Sequence, residues 1–71
     1  MRDPNRLYDF YAEFANLHAK YFPDWRTGQL LTNFHSWLFS VKGVDPFFPE
    51  ENKYLTYFKE FCGEENKEYG K

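Results

Sequence analysis

Residues 30–41 read LLTNFHSWLFSV, and this segment is the plainest indication of how the chain folds. Its apolar side chains recur at steps of three or four residues, which is the period of one face of an α-helix. Lys42 follows in the last turn, where a cation suits the helix dipole, and Gly43 suits the left-handed position just past a helix end. The pattern predicts a helix over residues 28–41.

The same period recurs on both sides of this segment. Asp3-Pro4 suits the start of a helix and Pro23 follows its end, so a first helix is predicted over residues 4–21. Pro49-Glu50-Glu51 opens a third helix, and Gly63 is expected to close it. Because no segment alternates with period two, the chain is predicted to be all-α, a compact three-helix bundle. The apolar positions of its three faces are Leu7, Phe10, Tyr11, Phe14, Leu17 and Tyr21, then Leu30, Leu31, Phe34, Trp37, Leu38 and Val41, then Tyr54, Leu55, Phe58, Phe61 and Cys62.

A chain of this length has few residues from which to build a core, and large aromatic side chains can supply the buried area. A domain of this size buries only about 60% of the surface that its unfolded chain exposes, and the single cysteine allows no internal disulfide. The 71 residues include nine Phe, six Tyr and two Trp, and each ring can bury roughly 150–250 Å². Residues 1–63 are therefore predicted to form one helical domain, and the polar residues 64–71 a disordered tail.

The two connections between helices carry further large rings. Residues 44–49 read VDPFFP, and the two prolines predict an ordered loop rather than a helix. The first interpretation is that Trp25, Phe47 and Phe48 plug the ends of the bundle. The second is that these rings bind a partner together with Arg26, because Trp and Arg dominate binding hot spots and binding residues concentrate in connections. The two roles can coexist.

Nothing in the sequence indicates an enzyme, a bound metal or a cofactor. His18 and His35 lack the short spacings of a zinc site, and both are expected at the boundary of the core. Cys62 falls on the apolar face of the third helix, where a thiol is expected to behave as a small buried hydrophobe. The chain contains neither a glycine-rich phosphate loop nor two carboxylates placed to flank one substrate.

Charge and hydropathy narrow the choice of partner. Nine basic and eleven acidic residues give a net charge of -2, whereas a protein that binds nucleic-acid phosphates is normally clearly basic. The longest apolar run, Trp37–Phe39, is far shorter than the ~20 residues of a membrane-spanning helix, so a cytoplasmic protein without membrane contact is expected. The sequence predicts a non-enzymatic interaction module that binds a protein partner or forms a homodimer. The alternative is a small nucleic-acid-binding factor, with Arg2, Arg6 and Arg26 as phosphate contacts and exposed aromatic rings for base stacking.

Three segments also resemble a group of small uncharacterised bacterial and phage-borne proteins. The segments are MRDPNR at residues 1–6, PDWRTGQL at 23–30 and DPFFPEE at 45–51, which match MRDPNR, PDxRxGQL and an acidic stretch after DPF. The resemblance covers most of the chain except the tail, although the first helix is unusually aromatic. It implies a gene that travels with mobile elements and supplies no catalytic residues. It also suggests that Arg26 pairs with Asp45 and so fixes one connection to the other.

Overall fold

The structure, a computed structural model, describes the backbone of residues 3–69 and the side chains of residues 3–65. Within this range the chain forms three helices and no strand. Helix α1 spans Arg6–Tyr21, α2 spans Thr27–Lys42 and α3 spans Glu51–Tyr69. Both α1 and α2 pack on α3. The all-α, three-helix fold that the periodicity predicts is therefore confirmed.

Helix α1 begins two residues later than the Asp3-Pro4 signal suggests. The carboxylate of Asp3 accepts a hydrogen bond of 3.0 Å from the N–H of Asn5, and the N–H of Arg6 donates to the carbonyl of Asp3 at 3.2 Å. Asp3 thus shapes a turn that leads into the helix instead of capping the helix itself. At the other end the N–H of Phe22 reaches the carbonyl of His18 at 2.9 Å, and the following proline allows no further helical turn.

Helix α2 agrees with its predicted bounds to within one residue at each end. Gly43 takes a left-handed conformation with φ 68°, as the sequence predicts. This conformation lets the N–H groups of Gly43 and Val44 return to the carbonyls of Phe39 and Leu38, at 3.2 and 3.1 Å. Two carbonyls that the helix end would leave unpaired are satisfied in this way.

The interior of the protein lies mainly between α2 and α3. Phe34 of α2 and Phe58 of α3 are both fully buried, and their ring centroids are 5.1 Å apart at an interplanar angle of 63°. No residue of α1 is fully enclosed, but its Phe14 stacks on Phe58 with 4.4 Å between centroids. Because α1 covers the core from one side only, part of its aromatic face stays open to solvent. The buried residues are Phe22, Leu30, Phe34, Leu38, Phe58, Phe61 and Cys62.

Helix α3 continues past Gly63, where the sequence predicts its end, so that prediction is wrong. Gly63 does not adopt the positive φ of a helix-terminating glycine, and no proline follows to stop the helix. A glycine inside a helix weakens it without breaking it. The backbone of residues 64–69 is helical. The predicted disorder of the tail falls partly on residues 70–71 and on the side chains of 66–69, which lie outside the described range, and it stays a prediction.

Ion pairs fasten both outer helices to α3. Each pair of this kind contributes at most about 1 kcal/mol at a protein surface, so the pairs fix orientation more than they add stability. They join Arg6 Nε to Glu51 Oε1 at 3.0 Å, Glu13 Oε2 to Lys59 Nζ at 2.9 Å, and Lys42 Nζ to Glu60 Oε1 at 2.8 Å.

Candidate interaction surface

Residues 45–48 form a turn that holds two phenylalanine rings in solvent. The N–H of Phe48 donates to the carbonyl of Asp45 at 3.2 Å, and the N–H of Phe47 donates to the Asp45 carboxylate at 3.0 Å. Pro46 occupies the second position, where its ring presets the backbone angle φ. The rings of Phe47 and Phe48 pack edge to face at 5.1 Å, yet the two residues are 84% and 73% exposed.

The interpretation that Phe47 and Phe48 plug the bundle is therefore wrong. Val44 packs against the core in their place, directly after Gly43 ends α2. The Asp45 hydrogen bonds then turn the backbone, so the two rings that follow point away from the interior. The second interpretation, in which these rings bind a partner, stays a prediction, and their exposure makes it physically possible.

Trp25, in the first connection, does plug its end of the bundle. The half-buried indole stacks on the Phe22 ring with 4.5 Å between centroids and 23° between planes. His18 holds the same connection, because its Nε2 lies 2.8 Å from the carbonyl oxygen of Trp25. A carbonyl can only accept, so this nitrogen carries the proton and donates it. His18 is a boundary residue, as the sequence predicts.

Arg26 is exposed and does not make the contact that the resemblance suggests. Among the side chains of residues 3–65, the ion pairs do not include Arg26 with Asp45, so that prediction is wrong. The Asp45 carboxylate accepts instead from the N–H of Phe47 and shapes its own turn. Arg26 immediately precedes α2, and the first residue of that helix, Thr27, lines the groove described next.

A groove lies between α1, the start of α2 and the turn at residues 45–48, and we call it the aromatic groove. Its volume is about 590 Å³, within the range of ~300–1,000 Å³ that is typical of binding pockets. Its position follows from the fold, because α1 and α2 each pack on α3 and leave a space between them. The lining residues are Phe10, Tyr11, Phe14, Ala15, His18, Thr27, Leu31, Pro46, Phe47, Pro49, Glu51 and Tyr54.

Phe10 lies at the centre of the rings in the aromatic groove. Its centroid is 4.9 Å from that of Tyr11, 5.9 Å from that of Phe14 and 5.6 Å from that of Tyr54. Phe10 is half-buried, whereas Tyr11 is 62% exposed. The sequence assigned all four residues to the core, because periodicity identifies the apolar side of a helix but not how much of it a neighbour covers. The one indication in the sequence was the width of the aromatic face of α1, which carries more rings than one neighbouring helix can cover.

Tyr54 forms the floor of the groove and is tied to α2. Its hydroxyl oxygen lies 2.6 Å from Nε2 of His35. Burial raises the pKa of Tyr54 to about 12, and the neighbouring Tyr11 adds to the rise. Burial lowers the pKa of His35, which favours the neutral imidazole, and its Nε2 can then accept a hydrogen bond from the tyrosine hydroxyl. The pair satisfies two polar groups at the boundary of the core, where both residues are half-buried.

A second depression, which we call the acidic pocket, adjoins the groove between α1 and the start of α3. Its volume is about 320 Å³. Carboxylates outnumber cations along its wall, and the sequence treated them as solvated residues or as partners of a helix dipole. The residues that line it are Arg6, Asp9, Phe10, Glu13, Glu50, Glu51, Asn52 and Leu55.

The single cysteine is buried within the core. Cys62 is 1% exposed, and burial raises the pKa of its thiol to about 11, so the nucleophilic thiolate is scarce at neutral pH. Within the described residues, His, Cys, Asp and Glu form no cluster of three or more that could hold a metal ion. The surface offers apolar rings and carboxylates, which are suited to binding.

None of the helices formed by the described residues has the length and hydropathy that crossing a bilayer requires. No protein family, curated protein or solved structure matches the chain.

Proposed function

We propose that this chain is a protein-interaction module, which holds a segment of a partner protein in the aromatic groove and against the turn at residues 45–48. The observation that carries the proposal is the exposure of Phe47 and Phe48, 84% and 73%, on a hydrogen-bonded turn that borders a groove of about 590 Å³. Contiguous apolar surface with a polar rim is a mark of interaction sites in soluble proteins.

The turn is suited to binding because the backbone that carries its rings is already fixed. Pro46 and the two hydrogen bonds to Asp45 restrict the backbone before any partner arrives. A surface that is ordered in advance loses less conformational entropy on binding, so more of the contact energy is retained as affinity. A loop that only connects two helices does not need two exposed phenylalanines, whose apolar surface is unfavourable in water.

The four residues singled out in the sequence take different roles in this proposal. Phe47 lines the groove, and Phe48 extends the apolar surface beside it. Arg26 is exposed next to Thr27, at the end of the groove, where it can contact a polar group of the partner. Trp25 stacks on Phe22 inside the bundle and is not among the residues that line the groove.

The geometry does not favour the alternative of nucleic-acid binding. Arg6, one of its three predicted phosphate contacts, is paired with Glu51 at 3.0 Å, and four carboxylates line the acidic pocket beside it. These groups repel a phosphate backbone. Arg2 lies outside the described residues. An oligonucleotide titration at low salt is expected to show no binding.

The partner is proposed to be a host protein. From the resemblance described above, we take the protein to be an accessory factor of a phage or mobile element that acts on a host protein in the cytoplasm. A second copy of the chain is the variant of this proposal. Light scattering over a range of concentrations distinguishes a monomer from a homodimer that hides the same rings.

Paired substitutions test whether the aromatic groove is the binding surface. Tyr11→Ala and Phe47→Ala alter its lining, whereas Tyr8→Ala and Phe39→Ala remove exposed rings outside it, at 74% and 67% exposure against 62% for Tyr11 and 84% for Phe47. Each immobilised variant is used to capture proteins from a lysate of the source cell, and bound proteins are quantified by mass spectrometry. We expect one stoichiometric partner that is lost with Tyr11→Ala and Phe47→Ala and retained with the two controls.

Two results would contradict the proposal. A partner that all four variants retain equally would place the interface elsewhere on the protein. Absence of any stoichiometric partner, together with a strictly monomeric wild type, would remove the interaction function itself. Circular dichroism of each variant confirms that a loss of capture is not a loss of fold.

A further inference from the structure

The face of α1 that borders the aromatic groove has the spacing with which one helix packs on another. Its residues recur at steps of three and four, so they form one continuous strip along the helix. They are Phe10, Tyr11, Phe14, Ala15 and His18. Helix α3 covers one side of this strip, where Phe14 stacks on Phe58. The other side is open to solvent, because Tyr11 and Ala15 are exposed.

We propose that the partner covers this open side with one amphipathic α-helix, which lies along α1 and places uncharged apolar side chains in the aromatic groove. The inference rests on the proposed interaction function and specifies the conformation and chemistry of the partner segment. Four arguments support it, from the dimensions of the groove, its backbone, its polar side chains and the area of its exposed rings.

The dimensions of the groove match about two turns of a helix. From Phe10 to His18 the lining runs about 12 Å along α1, at a rise of 1.5 Å per residue. A cavity of about 150 Å³ holds one benzene ring, so the groove volume of about 590 Å³ has room for roughly three large apolar side chains. Three side chains at positions i, i+3 or i+4, and i+7 of a helix span roughly 11 Å, which agrees with the length of the groove.

The backbone around the groove lacks the donors that an extended segment needs. Along α1 the N–H groups bond within the helix. In the connection from α2 to α3, Pro46 and Pro49 have no N–H, and the N–H groups of Phe47 and Phe48 are bonded to Asp45. Residues 3–69 contain no strand whose edge could pair with a peptide. The carbonyls of an extended segment would find no backbone donor along these walls, whereas a helix satisfies its own.

The polar side chains of the groove are already paired inside the protein. His18 donates to a backbone carbonyl of the first connection, and Tyr54 is bonded to His35. Glu51, which supplies the carboxylate of the lining, is paired with Arg6 at 3.0 Å. A charged group of the partner would lose water here without gaining a counterion. The face of the helix that enters the groove is therefore uncharged.

The area of exposed rings favours a single helix over a folded domain. The rings of Phe47, Phe48 and Tyr11, at 84%, 73% and 62% exposure, together offer about 450 Å² at roughly 200 Å² a ring. One side of a stable interface between folded proteins is about 800 Å². A second copy of the chain would need further contacts away from the groove, whereas one helix covers the groove alone.

Three fluorescein-labelled peptides test the helical conformation. Each has about 14 residues, a length at which an isolated helix is only marginally stable, and each carries two Leu and one Phe on one helical face with Ala and Gln elsewhere. The first has this sequence alone, the second adds a hydrocarbon staple on the opposite face, and the third has a central proline on that opposite face.

Binding of the peptides to the full-length protein is measured by fluorescence anisotropy. We expect the staple to tighten binding by about fivefold or more, because it orders the helix before binding. We expect the proline to weaken binding by about tenfold or more, because it breaks the helix and leaves the apolar side chains unchanged.

Two matched variants place the bound helix on α1. Ala15 lines the aromatic groove, whereas Ala12 is exposed on the same helix outside it. We expect Ala15→Glu to weaken the stapled peptide by about tenfold or more, because its carboxylate enters an apolar contact. Ala12→Glu has the same net charge and should leave the stapled peptide within about twofold of wild type. Circular dichroism confirms that both variants are folded.

The outcomes separate this inference from the function on which it rests. Equal affinities of the stapled and proline peptides, or equal effects of Ala15→Glu and Ala12→Glu, would overturn the helical partner. Failure of all three peptides to bind would overturn it as well, and so would a wild-type homodimer that Ala15→Glu dissociates. In each of these cases, capture of a partner that Tyr11→Ala abolishes and Tyr8→Ala retains would leave the interaction function standing.

Discussion

The interface between α2 and α3 and the turn at residues 45–48 are both built on phenylalanine, with opposite results. Phe34 and Phe58 are completely buried, whereas Phe47 and Phe48 are 84% and 73% exposed. The difference lies in the backbone that carries them. A helix presents every third or fourth side chain to the same neighbour, while the Asp45 turn directs both of its rings into solvent. The first region forms the core of the fold, and the second presents its rings to solvent.

The largest effect is expected from removing a ring of the first region. Phe34→Ala should lower the free energy of unfolding by about 3–5 kcal/mol, the usual cost of deleting a buried aromatic side chain. A domain this small has little more than about 3–5 kcal/mol in total, so the variant should be largely unfolded at 25 °C. Urea denaturation followed by circular dichroism measures the loss.

Phe39→Ala is the matched control, because Phe39 is on the same helix and is 67% exposed. Its loss should be within about 0.5 kcal/mol, as for most surface substitutions. Similar losses for Phe34→Ala and Phe39→Ala would mean that the interior is not arranged as described.

A smaller effect of either sign is expected at the two glycines that flank these regions. Gly43 ends α2 with φ 68°, so Gly43→Ala should cost about 1–2 kcal/mol, the strain of a left-handed residue that has a Cβ. Gly63 lies within α3, and an added Cβ would meet nothing within 4 Å. Gly63→Ala should therefore stabilise the protein by about 0.5–1 kcal/mol.

Thermal unfolding of Gly43→Ala and Gly63→Ala measures the two changes in stability. A neutral Gly43→Ala would show that the connection to the turn can shift without cost. A destabilising Gly63→Ala would argue against a helix that continues past this residue.

Sequence reasoning succeeded wherever a repeating backbone decided the outcome. Leu30, Phe34 and Leu38 are one turn apart, so any helix that buries one of them buries all three. Gly43 was predictable for the same local reason, because few other residues tolerate its conformation. These positions needed no knowledge of the neighbouring helices.

The aromatic groove could not be predicted in the same way. Phe10 and Tyr11 have the spacing of core residues, but their exposure depends on how α1 and α2 are placed around α3. Phe47 and Phe48 depend on a single turn, whose direction is set by two hydrogen bonds to Asp45. The hydrophobicity of Phe47 and Phe48 predicts burial, but the direction of the turn leaves both rings exposed.

Alkaline pH should lower the free energy of unfolding through two groups of the interior, Cys62 and Tyr54, and not through the turn at residues 45–48. Burial raises the pKa of Cys62 from 9.0 to about 11 and that of Tyr54 from 10.0 to about 12. For each group, at a pH between its unfolded and its folded pKa, the unfolded chain has released a proton that the folded chain still holds. The free energy of unfolding therefore falls as pH rises above about 9. Chemical denaturation at a series of pH values is expected to show this decline.

Two variants assign the decline to its sources. Cys62→Ala should remove the part that begins near pH 9, and Tyr54→Phe the part that begins near pH 10. If both variants kept the pH dependence of the wild type, these groups would not be buried as described.

The smallest effect on stability is expected from the turn itself. The double variant Phe47→Ala/Phe48→Ala should change the free energy of unfolding by no more than about 0.5 kcal/mol, since its rings leave little water on folding. Urea denaturation beside Phe34→Ala makes the comparison in one experiment. A loss of more than about 2 kcal/mol would mean that the two rings belong to the core.

The most direct measurement is the accessibility of individual rings to a soluble paramagnetic agent. NMR of phenylalanine-labelled protein with an added gadolinium chelate reports which ring protons approach solvent. The rings of Phe47 and Phe48 should broaden strongly, while those of Phe34 and Phe58 remain sharp. Protection of Phe47 and Phe48 in a protein that light scattering shows to be monomeric would contradict the account, because the surface proposed to bind a partner would then be buried within the chain.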